Sequence, residues 1–488
     1  MKNGQLQHNG QADQGRPPSR LEPSHRLKLY EQVIEYLRVR MDSGEWKTDQ
    51  KLPSVRSLAE ELGVHRLTVF KAYQVLKEEG SIYVRDKSGY YVGGKEPTAP
   101  SDLADDPAIS VWRHWDSLPR IHSLQATYQF SQSLIDPTLL PNHYWNVLLR
   151  SLTEQYPRLL GSYSTLAGDA ELREALAMQL TEKEHLYLTG DEILITSGAQ
   201  QAIDLTARAL VRPGDRVLLE RPCYGPAMEI FRKQGAQLTF LDIHPYGYDL
   251  EELERILRVE KPRVFYLTPT FHNPTGFTVP TEQRKLLPEL AEKYGCYLVE
   301  DDSTYDIYFK KHPPAPVFAY DTSGRALYIR SYSKYVAPGL RIAILICRPD
   351  LMPLLHAVKA LADNGSPLLN QKLFLQYVQS PRMEQHLSKL RTALQMRKDV
   401  MEACLRESTW TWTSPHGGLN LWVELPPGVD TAHLLYQCME ASVSFVPGKV
   451  FDSSPYKHHG WIRLSYSYVN ESQIRLGIGK LLEIAQRL

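Results

Sequence analysis

The five cysteines (Cys223, Cys296, Cys347, Cys404, Cys438) are scattered, odd in number and never in a CxxC pair. A disulfide framework and a structural zinc site are therefore not expected, and a reducing cytoplasm suits the chain best. No long apolar run occurs. Ile342–Cys347 is far too short to span a bilayer, and the N-terminus lacks an apolar signal core, so no membrane partner is expected. An excess of one charge is also missing: 56 Lys+Arg stand against 56 Asp+Glu, so any nucleic-acid contact must come from a local surface. Residues 1–24 have almost no large apolar side chains and read as a disordered tail. There is no internal repeat. What is present is length: 488 residues exceed one ordinary domain, and two or three are expected.

Residues 25–94 read as a small helical module. Tyr30, Val33, Ile34, Leu37 and Met41 fall at helical spacing. Ser54 suits the cap of a second helix carrying Val55, Leu58, Ala59 and Leu62, which Gly63 stops. A third helix carries Val69, Ala72, Tyr73 and Leu76 and ends at Gly80. Ile82–Val84 and Tyr90–Val92 then read as two strands around a basic turn. Three helices and a hairpin make a winged helix-turn-helix, whose third helix enters a major groove N-terminus first. The candidate contacts to double-stranded DNA are His65, Arg66, Thr68 and Lys71 on or beside that helix, Arg56 on the second, and Lys87 and Gly89 at the wing tip. Ordinary solvated charge on a helical adaptor is the other reading. Leu29–Gln32, Leu52–Arg56, Leu58–Val64 and Leu76–Gly80 resemble the DNA-binding domain of the GntR family, with His65 where Ser or Thr is usual.

Residues 95–125 are Pro-rich, then acidic, and read as a linker; Trp112 and Trp115 suggest that its far end docks. From 126 to 488, seven β-prone runs alternate with helical patterns: 193–196, 216–220, 238–242, 264–268, 297–300, 327–330 and 342–347. The expected fold is α/β, a mostly parallel sheet covered by helices, with ligands at the carboxyl ends of the strands. Reactive groups stand just after several of those ends. Ala199 and Gln200 open a helix after a glycine turn, as anion donors or as a plain capped helix. Tyr224 is either a ring-stacking group or core. Asn273 donates to a ring oxygen or makes an Asx turn. Asp301 pairs with a protonated pyridine nitrogen or caps a helix. Lys334, between small hydroxyls, is a Schiff-base amine or a surface lysine, and Ser331, Ser333 and Arg341 suit a phosphate.

Five such groups in this order resemble the fold type I, aspartate-aminotransferase-like family of pyridoxal-phosphate proteins. The resemblance implies a seven-stranded sheet with helices on both sides, a small C-terminal α+β lobe, and pyridoxal 5'-phosphate as cofactor. It makes Lys334 the catalytic lysine, Asp301 the ring-nitrogen partner, Asn273 the ring-oxygen donor and Tyr224 the stacking ring. Ser331, Ser333, Arg341, Ala199 and Gln200 would hold the phosphate. Tyr163 resembles the tyrosine that reaches a neighbouring subunit's phosphate, which implies a homodimer. Gly417–Glu424 and Gly460–Ser465 resemble the small lobe, and Arg463 the arginine that grips a substrate carboxylate; a structural ion pair is its plainer reading. One departure stands out. The slot usually held by a ring-oxygen tyrosine contains Thr304, with Tyr305 one place later, so either Tyr305 shifts in through a bulge or the contact is lost.

The combination resembles the MocR/GabR subfamily of GntR regulators. It implies a transcriptional regulator that binds promoter DNA and senses an amino acid, an amine or pyridoxal phosphate itself through Lys334. The alternative is an aminotransferase with an accessory DNA-binding module; Thr304 and the well-formed winged helix lean towards sensing.

Overall fold

The computed structural model describes residues 29–42, 45–47, 50–78, 81–85, 89–92, 121, 124–452 and 457–488. The tail 1–24, Gly80, Lys87 and Ser88 of the wing tip, and Trp112 and Trp115 of the linker lie outside these residues. The chain divides into two compact units, at residues 114 and 115.

In the first unit, helices Leu29–Asp42 (α1), Val55–Leu62 (α2) and Arg66–Glu78 (α3) enclose Val33, Leu37, Leu58, Val69, Ala72, Tyr73 and Leu76, all fully buried. Each expected helical stripe is thus a buried face, and each such large side chain contributes about 1.5–3 kcal/mol. Ser54 Oγ accepts from the Ser57 N–H at 3.1 Å and caps α2. Gly63, at φ +67°, ends it in a left-handed turn that few other residues adopt. Strands Ile82–Arg85 (β1) and Gly89–Val92 (β2) pair antiparallel, Ile82 opposite Val92. Residues 50–52 add a third edge: Leu52 N–H donates to the Tyr90 carbonyl and Val92 N–H to that of Gln50, both at 2.9 Å. The wing is therefore stitched to the approach of α2.

The second unit is built on one mixed sheet. Its order is Ile193–Thr196, Ala343–Ile346, Ala326–Ser331, Tyr297–Asp302, Val264–Leu267, Arg216–Arg221, Gln237–His244 and Gly247–Tyr248. All seven expected strands are there; the two-residue Gly247–Tyr248 adds an eighth at the edge. The five from Ala326–Ser331 to Gln237–His244 run parallel, while Ala343–Ile346 is antiparallel to both its neighbours. Apolar residues cover both faces, as a parallel sheet requires. Val217, Leu219, Tyr266, Val299 and Ile329 pack with helix Ala199–Leu210 on one face; Leu218, Phe265, Leu267, Leu298 and Tyr328 belong to the core of the other.

A smaller antiparallel sheet forms the C-terminal lobe, in the order Thr411–Trp412, Asn420–Glu424, Trp461–Ser465, Val446–Pro447. Tyr128–Gln129 pairs in parallel with Val443–Ser444. Phe130 N–H then donates to the Ser444 carbonyl at 2.9 Å, and Ser465 N–H to that of Phe130 at 2.8 Å. Ile121 and Leu124 pack on Trp422, Val446 and Phe451, so the far end of the linker docks on this lobe. All five cysteines are free. Among the described residues no helix is long and apolar enough to cross a membrane.

Candidate functional site

One cavity lies where the strand ends meet the small lobe. Ala199, Gln200, Tyr224, Asn273, Asp301, Ser331, Ser333, Lys334 and Arg341 all line it. Chain segments far apart in sequence converge because parallel strands present their carboxyl ends to one edge.

Lys334 follows strand Ala326–Ser331 in a tight turn, where Val336 N–H donates to the Tyr332 carbonyl at 3.1 Å. Ser333 Oγ donates to the Ile342 carbonyl at 3.1 Å and pins the turn to the returning chain. Arg341 then adopts φ +56°, a conformation uncommon for a residue with a side chain and found where a site demands it. Its guanidinium donates to the Ser197 carbonyl at 3.0 Å. Gly198 caps helix Ala199–Leu210 at φ +88° and offers no side chain to the first-turn amides. A Cβ there would fall 2.8 Å from Arg341 Cζ and would have to take a φ that side-chain-bearing residues rarely adopt, so the position favours glycine.

Asp301 is the penultimate residue of strand Tyr297–Asp302, on the same face as Val299. Its Oδ2 accepts from the Tyr266 hydroxyl at 2.7 Å and its Oδ1 from Ser303 Oγ at 2.6 Å. Burial pushes its pKa up, and Ser303, Tyr266 and Lys334 pull it back part of the way. Burial pushes the Lys334 amine down, against the attraction of Asp301, so its neutral form is reached more readily than in water. Tyr224 is raised to about 12 by burial and by Asp301. Arg463 sits on the small-lobe sheet, fully buried, and donates to Asn273 Oδ1 at 3.2 Å and to the Ser131 carbonyl at 2.7 Å. Burial lowers its pKa to about 9, a strain that an arriving carboxylate would relieve.

Three expected site residues do not line the cavity: Arg463, which stands behind Asn273, and Tyr305 and Tyr163. Tyr305 is 1% exposed and turned away; the Arg330 guanidinium lies 4.5 Å from its ring centre and His312 meets it edge-on at 5.3 Å. The reason is local. Asp306 binds Arg330 at 2.8 Å and the Tyr335 hydroxyl at 2.5 Å, which anchors the far half of the turn on the opposite face of the sheet. Thr304 lines the cavity in its place. Tyr163 is 91% exposed and outside the cavity.

In the winged helix, Arg66 and Lys71 are exposed on α3 and Thr68 is half-buried. Arg56 is exposed and bonds Glu60 at 3.2 Å. His65 Nδ1 accepts from the Leu67 N–H at 3.3 Å, turning back on its own helix as the missing serine would. The Lys71 ammonium lies 4.1 Å over the Tyr30 ring, and Gly89 takes φ +121° at the start of β2.

The sequence reading missed Tyr266, Ser303, Thr268, Phe271, Ser133 and Asn420, which also line the cavity. Tyr266 left a faint signal, a phenol in the middle of a fully buried strand.

The amine, the paired carboxylate and the glycine–arginine cradle fit pyridoxal 5'-phosphate, so the large unit is a fold type I pyridoxal-phosphate protein. Residues 148–481 match the family Aminotransferase class I and II, and residues 29–92 match Bacterial regulatory proteins, gntR family. Aromatic-amino-acid aminotransferase 1 of Thermococcus litoralis is 31% identical over 358 residues, covering 71% of this chain and 85% of its own. The uncharacterized HTH-type transcriptional regulator YdcR of Escherichia coli is 31% identical over 443 residues, 88% of this chain and 92% of its own. The crystal structure of Pyrococcus horikoshii kynurenine aminotransferase, in complex with PMP, superposes with a TM-score of 0.72 at 30% identity, over 79% of this chain and 96% of that one. The chain belongs to the MocR/GabR-type subfamily of GntR transcriptional regulators, which join both modules.

Proposed function

We propose that this cytoplasmic protein binds promoter DNA as a homodimer and adjusts that binding when a carboxylate-bearing amino acid or amine enters the Lys334 cavity. The observation that carries the reading is the cavity lined by Lys334, Asp301 and Thr304, with Arg463 behind it on Asn273, in a chain that also bears a winged helix.

When bound, pyridoxal phosphate supplies a carbonyl that condenses with amines and a ring that accepts electron density. The chain's own residues supply the rest. Lys334 offers an amine whose neutral form burial makes easier to reach than in water. Asp301 would hold a proton on the ring nitrogen, and Asn273 would donate to the ring oxygen, with Thr304 in the place of a tyrosine. Gly198, Ala199, Gln200, Ser331, Ser333 and Arg341 would hold the phosphate, and Tyr224 would stack on the ring. Arg463 takes the ligand carboxylate in a two-pronged grip. A ligand that prefers one arrangement of the protein shifts its population, and with it the DNA-binding heads. Tyr163, exposed as it is, suits a contact across the dimer.

The test pairs two measurements on the full chain. Visible spectra with a panel of amino acids and amines should show one compound shifting the cofactor band reversibly, without accumulation of keto acid, and footprinting should show protected promoter DNA. Absence of protected DNA at moderate salt, with and without cofactor, would overturn the reading. Keto acid building up over many turnovers would support the aminotransferase alternative.

A further inference from the structure

Burial explains the inward face of α3 but not its outward face. Val69, Ala72, Tyr73 and Leu76 have no exposed surface, yet Leu67 is 70% exposed and Phe70 46%. Three residues apart, these two side chains share one face of the helix. Their neighbours are cations or polar groups: Arg66 and His65 before them, Lys71 after, all exposed. Two large apolar groups kept in water among positive charges gain nothing for the fold.

A DNA major groove gives them a partner. Cations around the patch match the phosphates that flank the groove. Inside it, the C5-methyl of thymine is the apolar group among the hydrogen-bonding base edges. Leu67 is the second residue of α3, in the turn that a helix-turn-helix presents to those edges. Its backbone N–H is already taken by His65 Nδ1 at 3.3 Å, which leaves the side chain as its contacting part.

We propose that Leu67, backed by Phe70, packs on a thymine methyl group in each half-site and thereby sets sequence preference. This rests on the DNA-binding reading above and deepens it.

The experiment uses the full chain and duplexes selected by it from a randomised pool. Each thymine of the selected site is replaced in turn by deoxyuridine, which keeps the base pair and removes only the methyl. Binding is followed by fluorescence anisotropy. For the wild type, replacement at one thymine per half-site should weaken binding about fourfold, the equivalent of one buried methyl(ene) group. Leu67→Ala should bind the thymine and deoxyuridine duplexes equally, while its melting temperature stays at the wild-type value because the side chain is exposed. The proposal is overturned if the wild type tolerates deoxyuridine at every position, or if Leu67→Ala keeps the full methyl effect. A Leu67→Ala variant that changes oligomeric state with unaltered thymine preference would also overturn it, by assigning the patch to a second copy. If no duplex is enriched, the DNA-binding reading itself fails and this proposal goes with it.

Discussion

The Tyr266 hydroxyl donates a 2.7 Å hydrogen bond to Asp301 Oδ2 from the neighbouring parallel strand. Tyr266 pairs with Val299, two residues before Asp301, so the pleat brings phenol and carboxylate to one face. The bond favours the ionised carboxylate against the burial that opposes it. In Tyr266→Phe that support is gone, and Asp301 takes a proton at higher pH than in the wild type. Pyridoxal-phosphate affinity should therefore begin to fall at higher pH as the solution is acidified. Equilibrium titrations of the cofactor across pH measure this; superimposable acid limbs would remove Tyr266 from the role.

Lys334 gives a second prediction. An ordinary lysine titrates near about 10.4, and burial lowers this one. The neutral amine is the form that attacks a carbonyl. Cofactor uptake by the apo protein should thus rise with pH to a plateau whose midpoint lies below about 10.4. Lys334→Ala should abolish the borohydride-trapped adduct seen by mass spectrometry, while noncovalent affinity for the phosphate end remains.

Arg463 makes a third. Replacing it by lysine keeps a charge and loses the fork. Breaking a buried, hydrogen-bonded charge pair costs about 2–5 kcal/mol, so binding of a carboxylate ligand should weaken at least tenfold. The decarboxylated amine of the same side chain should bind the variant and the wild type alike. Spectral titrations with the two compounds separate the effects.

The cradle makes a fourth. Alanine at Gly198 forces a side chain into φ +88° and against the Arg341 guanidinium. Gly198→Ala should destabilise the protein by about 1–3 kcal/mol and lower its affinity for pyridoxal phosphate more than for pyridoxal. Thermal unfolding and competitive titration read the two parts.

On the winged helix, Arg66→Ala should weaken operator binding by about 1–3 kcal/mol, with preference relaxed at one base position. A uniform loss across sequences, with a shallower salt dependence, would instead make Arg66 a phosphate contact.

Much of this architecture is legible because its signals are local. Ser54, Gly63 and the spacing of Val69, Ala72, Tyr73 and Leu76 each act within a turn or two. The strand-end groups at Ala199, Tyr224, Asn273, Asp301 and Lys334 are legible because a parallel sheet lines up whatever follows its strands. What stayed hidden depends on distant packing. Tyr305 turns away because Arg330 and Asp306 hold its turn from the far face, a pairing that no nearby residue announces. Ser133 reaches the cavity through a 2.6 Å bond to Asn420, nearly three hundred residues along. Gly247–Tyr248 is too short to carry a β pattern.

Arg463 holds the carbonyl of Ser131, and the chain just before Ser131 is woven into the small lobe through Tyr128 and Phe130. The same stretch is the tether leading back to the winged helix. A carboxylate that drew Arg463 from the Ser131 carbonyl would remove one of the bonds holding this stretch to the lobe. Linkage would make any such coupling mutual: a ligand that changed DNA affinity would have its own affinity changed by the same factor when DNA binds. Arg463 is thus a clasp between the small lobe and the start of the large unit.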